Sequence, residues 1–299
     1  MPHCRLGPLT AASIAILLAF GASAPAATLE YLGTHIWRAQ DIHFGGFSAI
    51  ELSADGDEFH ALTDRAHLFW GRVQRDDDSR ISSMEIKGRS NLKDSSGQPL
   101  PRGIRGDSEG MAIGPDGMIW VSFEGQHRVA GYSDPHAPAL QLPRPPRLPE
   151  LSVNEGFESL AILPDGTLMT MPERSLSPEA PFPVLHFRDG EWIQPYTIRR
   201  DGNWLPVGSD YGPDDWFYLL ERDFHGIMGF SSRIRRMRLT EDGPADEQIL
   251  LESMPLQFDN LEGISAWHDG QDVRLTLISD DNFLFLQRTE LVEFRVIEQ

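Results

Sequence analysis

The chain has 299 residues, 40% of them hydrophobic and 24% charged, which suits a folded globular protein and excludes a disordered one. Twenty-six Lys and Arg stand against 45 Asp and Glu, a formal net charge of -19, so nucleic acid and an anionic membrane surface are poor partners. An anionic small-molecule substrate would need local arginine or a bound cation to offset that repulsion.

Residues 1–26 read as a secretory signal. Arg5 precedes an apolar run from Leu9 to Phe20, and Ala24-Pro25-Ala26 supplies the small residues before a cut. The run is too short for a good membrane span. The expectation is an exported, periplasmic or secreted protein with no membrane partner once the signal is removed. The only cysteine, Cys4, lies inside that segment, so residues 28–299 hold no disulfide, thiolate metal site or cysteine nucleophile.

The body repeats. Five segments, 48–65, 109–125, 158–174, 207–223 and 262–281, each place an alternating strand, a tight Asp-Gly type turn and a second strand in the same order. The turn aspartates are Asp55, Asp116, Asp165, Asp214 and Asp269, spaced by 61, 49, 49 and 55 residues. A tight turn between alternating strands is a strong hairpin signal, and a hairpin period near fifty is the mark of a propeller. Further strand-like runs follow each hairpin: 67–74 and 80–87, 128–132 and a Pro-rich 143–149, 182–187 and 192–198, 232–239 and 247–252. The fifth hairpin has only 290–296 after it, so the missing outer strand is expected from residues 28–37 at the start of the mature chain. The fold is therefore expected to be all-β: a β-propeller of five four-stranded blades in one domain, 28–299, closed by the N-terminal strand, with a poorly marked sixth blade left open. A closed propeller has no sheet edge demanding a partner, so a monomer is expected.

Aligned on their turns, the hairpins carry two sets of polar residues. Seven positions before the turn aspartate stand Ser48, Glu109, Glu158, Val207 and Glu262. Near the end of each second strand stand Asp64, Glu124, Glu173, Glu221 and Asp280. In an antiparallel hairpin these two places adjoin, so Glu109 is expected to face Glu124, and Glu158 to face Glu173, at one mouth of the channel. Like charges placed opposite each other are destabilising. Raised pKa values, arginine partners or a bound cation would relieve them. Arg65, Arg174 and Arg222 each follow an acid, Arg105 precedes Asp107-Ser108-Glu109, and these four are candidate substrate-binding residues. An oxygen-only donor set with Asn154, Asn260 and Asn282 nearby suits calcium better than zinc. His67, His127 and His225 fall two to four residues after the second-strand acids, in loops at the same mouth, and are candidate acid–base residues. The same acid–arginine pairs would also serve as structural bridges between blades, and that alternative stays open. No nucleophile elbow, P-loop or dinucleotide fingerprint occurs.

At these residues the sequence resembles the phytase-like propeller proteins of bacteria, labelled "esterase-like activity of phytase". The likeness runs from about Gly45 to Phe294 and rests on the ordered set FSAIELSADGDEFHALTDRAHLF, RGIRGDSEGMAIGPDGMIWVSFEG, NEGFESLAILPDGTLMTMPER, LPVGSDYGPDDWFYLLERDF, and DNLEGISAWHDG with LTLISDDNFLFLQRTELVEF. The resemblance implies an exported propeller and a calcium-assisted phosphoester hydrolase. It places the family's acidic positions on Asp64, Glu109, Glu124, Glu158, Glu173, Glu221, Glu262, Asp280 and Asp281. Lactone or carboxylic-ester hydrolysis, and non-catalytic binding in the periplasm, remain as alternatives.

Overall fold

The computed structural model describes residues 27–146 and 156–299; the signal segment 1–26 and Asn154 lie outside these. The described residues form 22 strands and one short 3-10 turn. Their order is β1 (Thr28–Ile36), β2 (Phe47–Leu52), β3 (Glu58–Thr63), β4 (His67–Arg75), β5 (Ile81–Asn91), β6 (Ser108–Ile113), β7 (Ile119–Phe123), β8 (Arg128–Tyr132) and β9 (Leu140–Gln141). Then come β10 (Phe157–Ile162), β11 (Leu168–Pro172), β12 (Phe182–Pro183), β13 (Leu185–Arg188), β14 (Glu191–Ile193) and β15 (Thr197–Ile198). The chain finishes with β16 (Leu205–Tyr211), β17 (Phe217–Phe224), β18 (Phe230–Thr240), β19 (Gly243–Glu252), β20 (Asn260–His268), β21 (Val273–Asp280) and β22 (Glu290–Ile297).

Five four-stranded antiparallel sheets result: β2-β3-β4-β5, β6-β7-β8-β9, β10-β11-β13-β14, β16-β17-β18-β19 and β20-β21-β22-β1. The innermost strands touch in a closed cycle, β2 to β6 to β10 to β16 to β20 and back to β2, so the sheets are blades around one axis. The expected five-bladed propeller is the observed fold. The N-terminal strand closes it, with β1 pairing β22 from Thr28↔Ile297 to Ile36↔Glu290. Closure ties the chain ends together and leaves only short blade edges.

Two outer strands differ from expectation. In the second blade the outer strand is Leu140–Gln141, upstream of the Pro-rich run, because proline cannot donate to a ladder. In the third, residues 182–187 and 192–198 divide: Leu185–Arg188 and Glu191–Ile193 complete the blade, while Phe182–Pro183 pairs Thr197–Ile198 as a separate two-stranded piece. Pro183 interrupts the run that alternation alone would have carried through.

Packing follows the alternation. Between the first two blades, Leu62, Leu68, Val121 and Phe123 are wholly buried in one cluster. Removing such a side chain to alanine costs about 2–5 kcal/mol. Trp216 and Phe217 are buried in blade cores, and Trp120 packs against the cluster between the second and third blades. Among the described residues no helix is long and apolar enough to cross a membrane.

Candidate functional site

Antiparallel order puts the β3–β4, β7–β8, β17–β18 and β21–β22 loops, and the connections between blades, at one end of the propeller. The Asp-Gly hairpin turns lie at the other. At the first end the inner strands share one irregularity. The ladders slip between Phe47/Ala49, Ser108/Met111, Phe157/Ser159, Pro206/Gly208 and Leu261/Gly263. The residues at these β-bulges are Ser48, Glu109, Glu158, Val207 and Glu262, the five positions seven before the turn aspartate. A bulge leaves its extra residue unpaired and re-aims its side chain. Ser48, Glu158 and Val207 accordingly line the neck of the channel.

The bulge changes which residues face each other. Glu124 does not sit opposite Glu109: its backbone N–H donates to Asp107 O at 3.0 Å, and that of Glu173 donates to Gly156 O at 3.0 Å. The glutamates of one blade are therefore diagonal neighbours. The second-strand positions that open onto the mouth are Asp64, whose N–H donates to Gly46 O at 2.7 Å, Glu124, Glu173 and Asp280, which pairs Asn260.

In the fourth blade the corresponding residue is Arg222. There the ladder runs Leu205↔Arg222 and Pro206↔Glu221, matching Asn260↔Asp280 and Leu261↔Ser279 in the fifth. A shift of one residue along a strand turns a side chain to the opposite face. Glu221 accordingly points into its own blade, fully buried between Arg233 Nε at 2.7 Å and Arg235 Nε and Nη2 at 2.8 and 2.6 Å. The structure thus separates Glu221 from the other acids and puts an arginine in its place. The signal was in the spacing: Glu124 and Glu173 stand eight residues after their turn aspartates, Glu221 only seven after Asp214, and Arg222 eight.

Carboxylates crowd the mouth. Oxygens of Asp107, Glu109 and Glu124 lie within 4.8 Å of one another, as do those of Glu124, Glu158 and Glu173, so Glu124 belongs to both groups. Arg222 donates to Glu173 at 3.3 Å, to Asn260 Oδ1 at 3.0 Å, and to Glu262. Asn260 Nδ2 also donates to Glu262, at 2.7 Å. Burial weakens the arginine's hold on its proton, but Glu262, Glu158 and Glu173 outweigh that and raise its pKa. The acids lack equal compensation. Burial and then Glu158 hold Glu109 well above the usual carboxylate range, and burial and then Glu173 do the same for Glu158. Burial, then Asp107, raises Glu124 to about 7. Burial, then Glu262, raises Asp280 to about 8, and burial raises Asp64 to about 6 against the pull of Arg65. Gly46 (φ 65°) is needed here, since a Cβ would land on the Asp64 carboxylate and the Phe283 ring. Asp281 is occupied by the loop, accepting from the backbone N–H of Gly46 at 2.9 Å and of Phe283 at 3.1 Å.

The remaining candidates divide. Arg65 lies 3.7 Å from Asp64 with its guanidinium over the Phe283 ring, and Arg174, half exposed, lies 3.6 Å from Glu173. Both stand at the lip. Arg105 is exposed and turned to Asp94 at 3.2 Å. His67 is buried against the His43 ring, its Nδ1 3.3 Å from Arg89 Nη1, and burial, then His43 and Arg89, lower it to about 4. It is neutral at physiological pH. His127 follows Glu124 in a tight turn, its N–H donating to Glu124 O at 3.0 Å, with a left-handed backbone (φ 44°). His225 stands on the rim with Nε2 3.0 Å from Ser231 Oγ. Two further residues belong to the mouth. Asp107 joins the first carboxylate group through the ladder offset just described. Arg200 lies close enough to Arg174 for the two charges to repel, and it donates to Ser175 Oγ at 3.0 Å. Only the folding of the third blade brings Arg200 back to the lip.

A family model described as "Phytase-like: Esterase-like activity of phytase" matches residues 42–283. No curated protein matches the chain. Among solved structures it is similar to the α-L-arabinofuranosidase PaAbf62A of Podospora anserina, solved with cellotriose, at 13% identity and a TM-score of 0.53 over 92% of this chain and 97% of that one. The catalytic domain of a Coprinopsis cinerea GH62 α-L-arabinofuranosidase gives 12% identity and 0.53 over 92% and 98%. Identities this low speak to the fold alone.

Proposed function

The chain belongs to the phytase-like family, esterase-like activity of phytase, and from that premise we propose that it is an exported, calcium-assisted hydrolase of phosphoesters whose site is the carboxylate mouth of the propeller. The observation that carries this reading is Glu124, one side chain shared by two carboxylate groups that have too little positive charge around them. The donors are all carboxylate oxygens, with no sulfur, which suits a hard cation. Asp107, Glu109, Glu124, Glu158 and Glu173 would hold it. When bound, the cation supplies positive charge to phosphoryl oxygens and acidifies water.

The chain's own residues supply the rest. Arg222 fixes Glu173 and Glu262, so it orients the ligand carboxylates and does not reach for substrate. Arg65 and Arg174 at the lip take the phosphate charge. In hydrolysis the water oxygen bonds to phosphorus as the phosphorus–oxygen bond to the alcohol breaks. A mouth carboxylate takes the water proton, and His127 returns a proton to the departing oxygen. His67, buried and neutral, keeps the β3–β4 loop in place. A carboxylic-ester or lactone substrate is the second reading, favoured by the net charge of -19, which repels anions.

The test is thermal unfolding of the protein from residue 27 onward with calcium or chelator, alongside turnover of 4-nitrophenyl phosphate, a phosphodiester, a lactone and a carboxylic ester. We expect a calcium-dependent rise in Tm and calcium-dependent phosphoester turnover, both lost in Glu124→Gln. Neither effect with any substrate would leave a binding propeller with a purely structural ring.

A further inference from the structure

The two ends of the propeller differ in exposed apolar surface. None of the hairpin turns at the Asp-Gly end carries an exposed large apolar side chain. At the mouth, three adjoining segments of blades four and five expose Phe224, Ile227, Met228, Leu256, Phe285 and Leu286, with Ile227 fully exposed, Phe285 at 99% and Leu286 at 86%. Isolated exposed residues of this kind are ordinary, but a contiguous group marks a contact surface. Here the segments are linked. The Leu256 side chain lies against Gly229, and its N–H donates to Phe230 O at 3.2 Å. Asp259, three residues on, accepts from Gln287 Nε2 at 3.1 Å and from the Arg288 N–H at 2.8 Å. Bulky residues are also held in left-handed backbone here, Leu256 at φ 64° and Phe283 at φ 53°, a conformation that costs energy and gathers at functional sites.

This collar is continuous with the acidic mouth. The Arg65 guanidinium lies 3.3 Å over the Phe283 ring at the foot of the 281–288 loop. Arg222 lies 5.5 Å from the Phe230 ring, which packs 5.0 Å from Phe224. A ligand whose polar group enters among the carboxylates past Arg65 or Arg222 meets these loops with the rest of itself. The segments 223–229 and 281–287 contain acids and no lysine or arginine, so nothing in them attracts the headgroups of an anionic bilayer.

We infer that the collar is the subsite for the apolar chain of an amphiphilic substrate, an alkyl- or aryl-bearing ester whose polar ester group is the part held in the mouth. This rests on the hydrolase reading above and narrows its substrate class. The probes are monoalkyl phosphates from methyl to dodecyl, below their micelle concentrations, titrated into the calcium-loaded protein by calorimetry. Affinity should rise roughly two- to fourfold per added methylene until the collar is covered. Phe285→Ser combined with Leu286→Ser, and separately Ile227→Ser combined with Met228→Ser, change exposed residues only. Both pairs should flatten that rise while leaving methyl phosphate affinity and the calcium-dependent Tm unchanged.

A flat series in the wild type, or an unaltered rise in both variants, overturns the inference. So does sedimentation with phosphatidylcholine vesicles that the variants lose while the alkyl series is flat, which would make the collar a membrane contact. So does a concentration-dependent dimer that the variants abolish. The two readings fail separately. Turnover of 4-nitrophenyl phosphate with a flat alkyl series removes the collar and keeps the hydrolase; a steep series without turnover keeps the collar and removes the hydrolase.

Discussion

Glu221 and Glu124 are adjacent in kind, each near the end of the second strand of its blade, yet they live in opposite electrostatic worlds. Glu221 is sealed inside blade four with three short arginine contacts, from Arg233 Nε and from Arg235 Nε and Nη2, while Asp201 and Glu247 engage the same two guanidinium groups at 2.8 and 3.1 Å. Glu124 stands among Asp107, Glu109, Glu158 and Glu173, and the one arginine in the ring, Arg222, is committed to Glu173 and Glu262. Positive charge supplied by the chain makes the first cluster a piece of scaffold. Positive charge withheld from the second leaves a demand that a ligand can meet.

The sharpest way to break this contrast is one substitution made in both places. Glu221→Gln should cost about 3–5 kcal/mol in urea denaturation, because it strands buried guanidinium charge, and calcium should not restore it. A loss under 1 kcal/mol would mean that the cluster is not scaffold. Arg222→Met should cost on the order of 2 kcal/mol, discounted for its partial exposure, since Glu173 and Glu262 lose their partner. The loss should be greater at pH 8 than at pH 5, where Asp64, Glu124 and Asp280 hold protons and the mouth carries less negative charge for Arg222 to offset. Glu124→Gln should act in the other direction. Without calcium it removes repulsion and should gain about 1 kcal/mol. It should also erase the wild-type calcium response, which at a hundredfold excess over Kd is about 2.7 kcal/mol.

The pH dependence sharpens the same point. Asp64, Glu124 and Asp280 have folded-state pKa values raised to about 6, 7 and 8, so the folded protein holds protons that the unfolded chain has already released. Their contribution is present below the ordinary carboxylate pKa and is lost as pH climbs through about 6 to 8. Tm without calcium should fall across that window, and the calcium-induced shift should grow as pH rises. Asp210, raised to about 7 by burial beside Glu51, titrates in the same direction nearer the other end of the channel, and its share should be indifferent to calcium. A calcium shift that shrinks with rising pH would contradict the mouth as a cation site. The smallest effect is expected for His225→Ala, within about 0.5 kcal/mol of wild type, because the ring sits on the rim with only Ser231 Oγ at 3.0 Å and, farther off, Asp223 at 3.9 Å for polar company. Unfolding of that variant would show that the rim loop is part of the core.

Much of this was legible along the chain because it is local. Asp-Gly turns between alternating strands recur at Asp55, Asp116, Asp165, Asp214 and Asp269, and each specifies a hairpin wherever it occurs. The count of strands left the last blade one short and the N-terminal segment unassigned, which predicted the closing pair of β1 and β22. The acidic mouth was visible as residues at fixed offsets from those turns. The errors at the mouth concern register. Lining up Glu221 with the other acids placed it in the ring, although its offset from Asp214 is one short of that for Glu124 and Glu173, and one residue is the difference between facing the channel and facing Arg235.

Side-chain chemistry and turn residues thus set the hairpins, their number and the abundance of negative charge at one end, since each depends on neighbours a few positions away. Which carboxylates meet, which are silenced by arginine, and how Arg200 returns to the lip beside Arg174 depend on five β-bulges and on contacts between blades. Those arise from hydrogen bonds and packing between strands far apart in the chain, where a displacement of a single position reverses the direction in which a charge points.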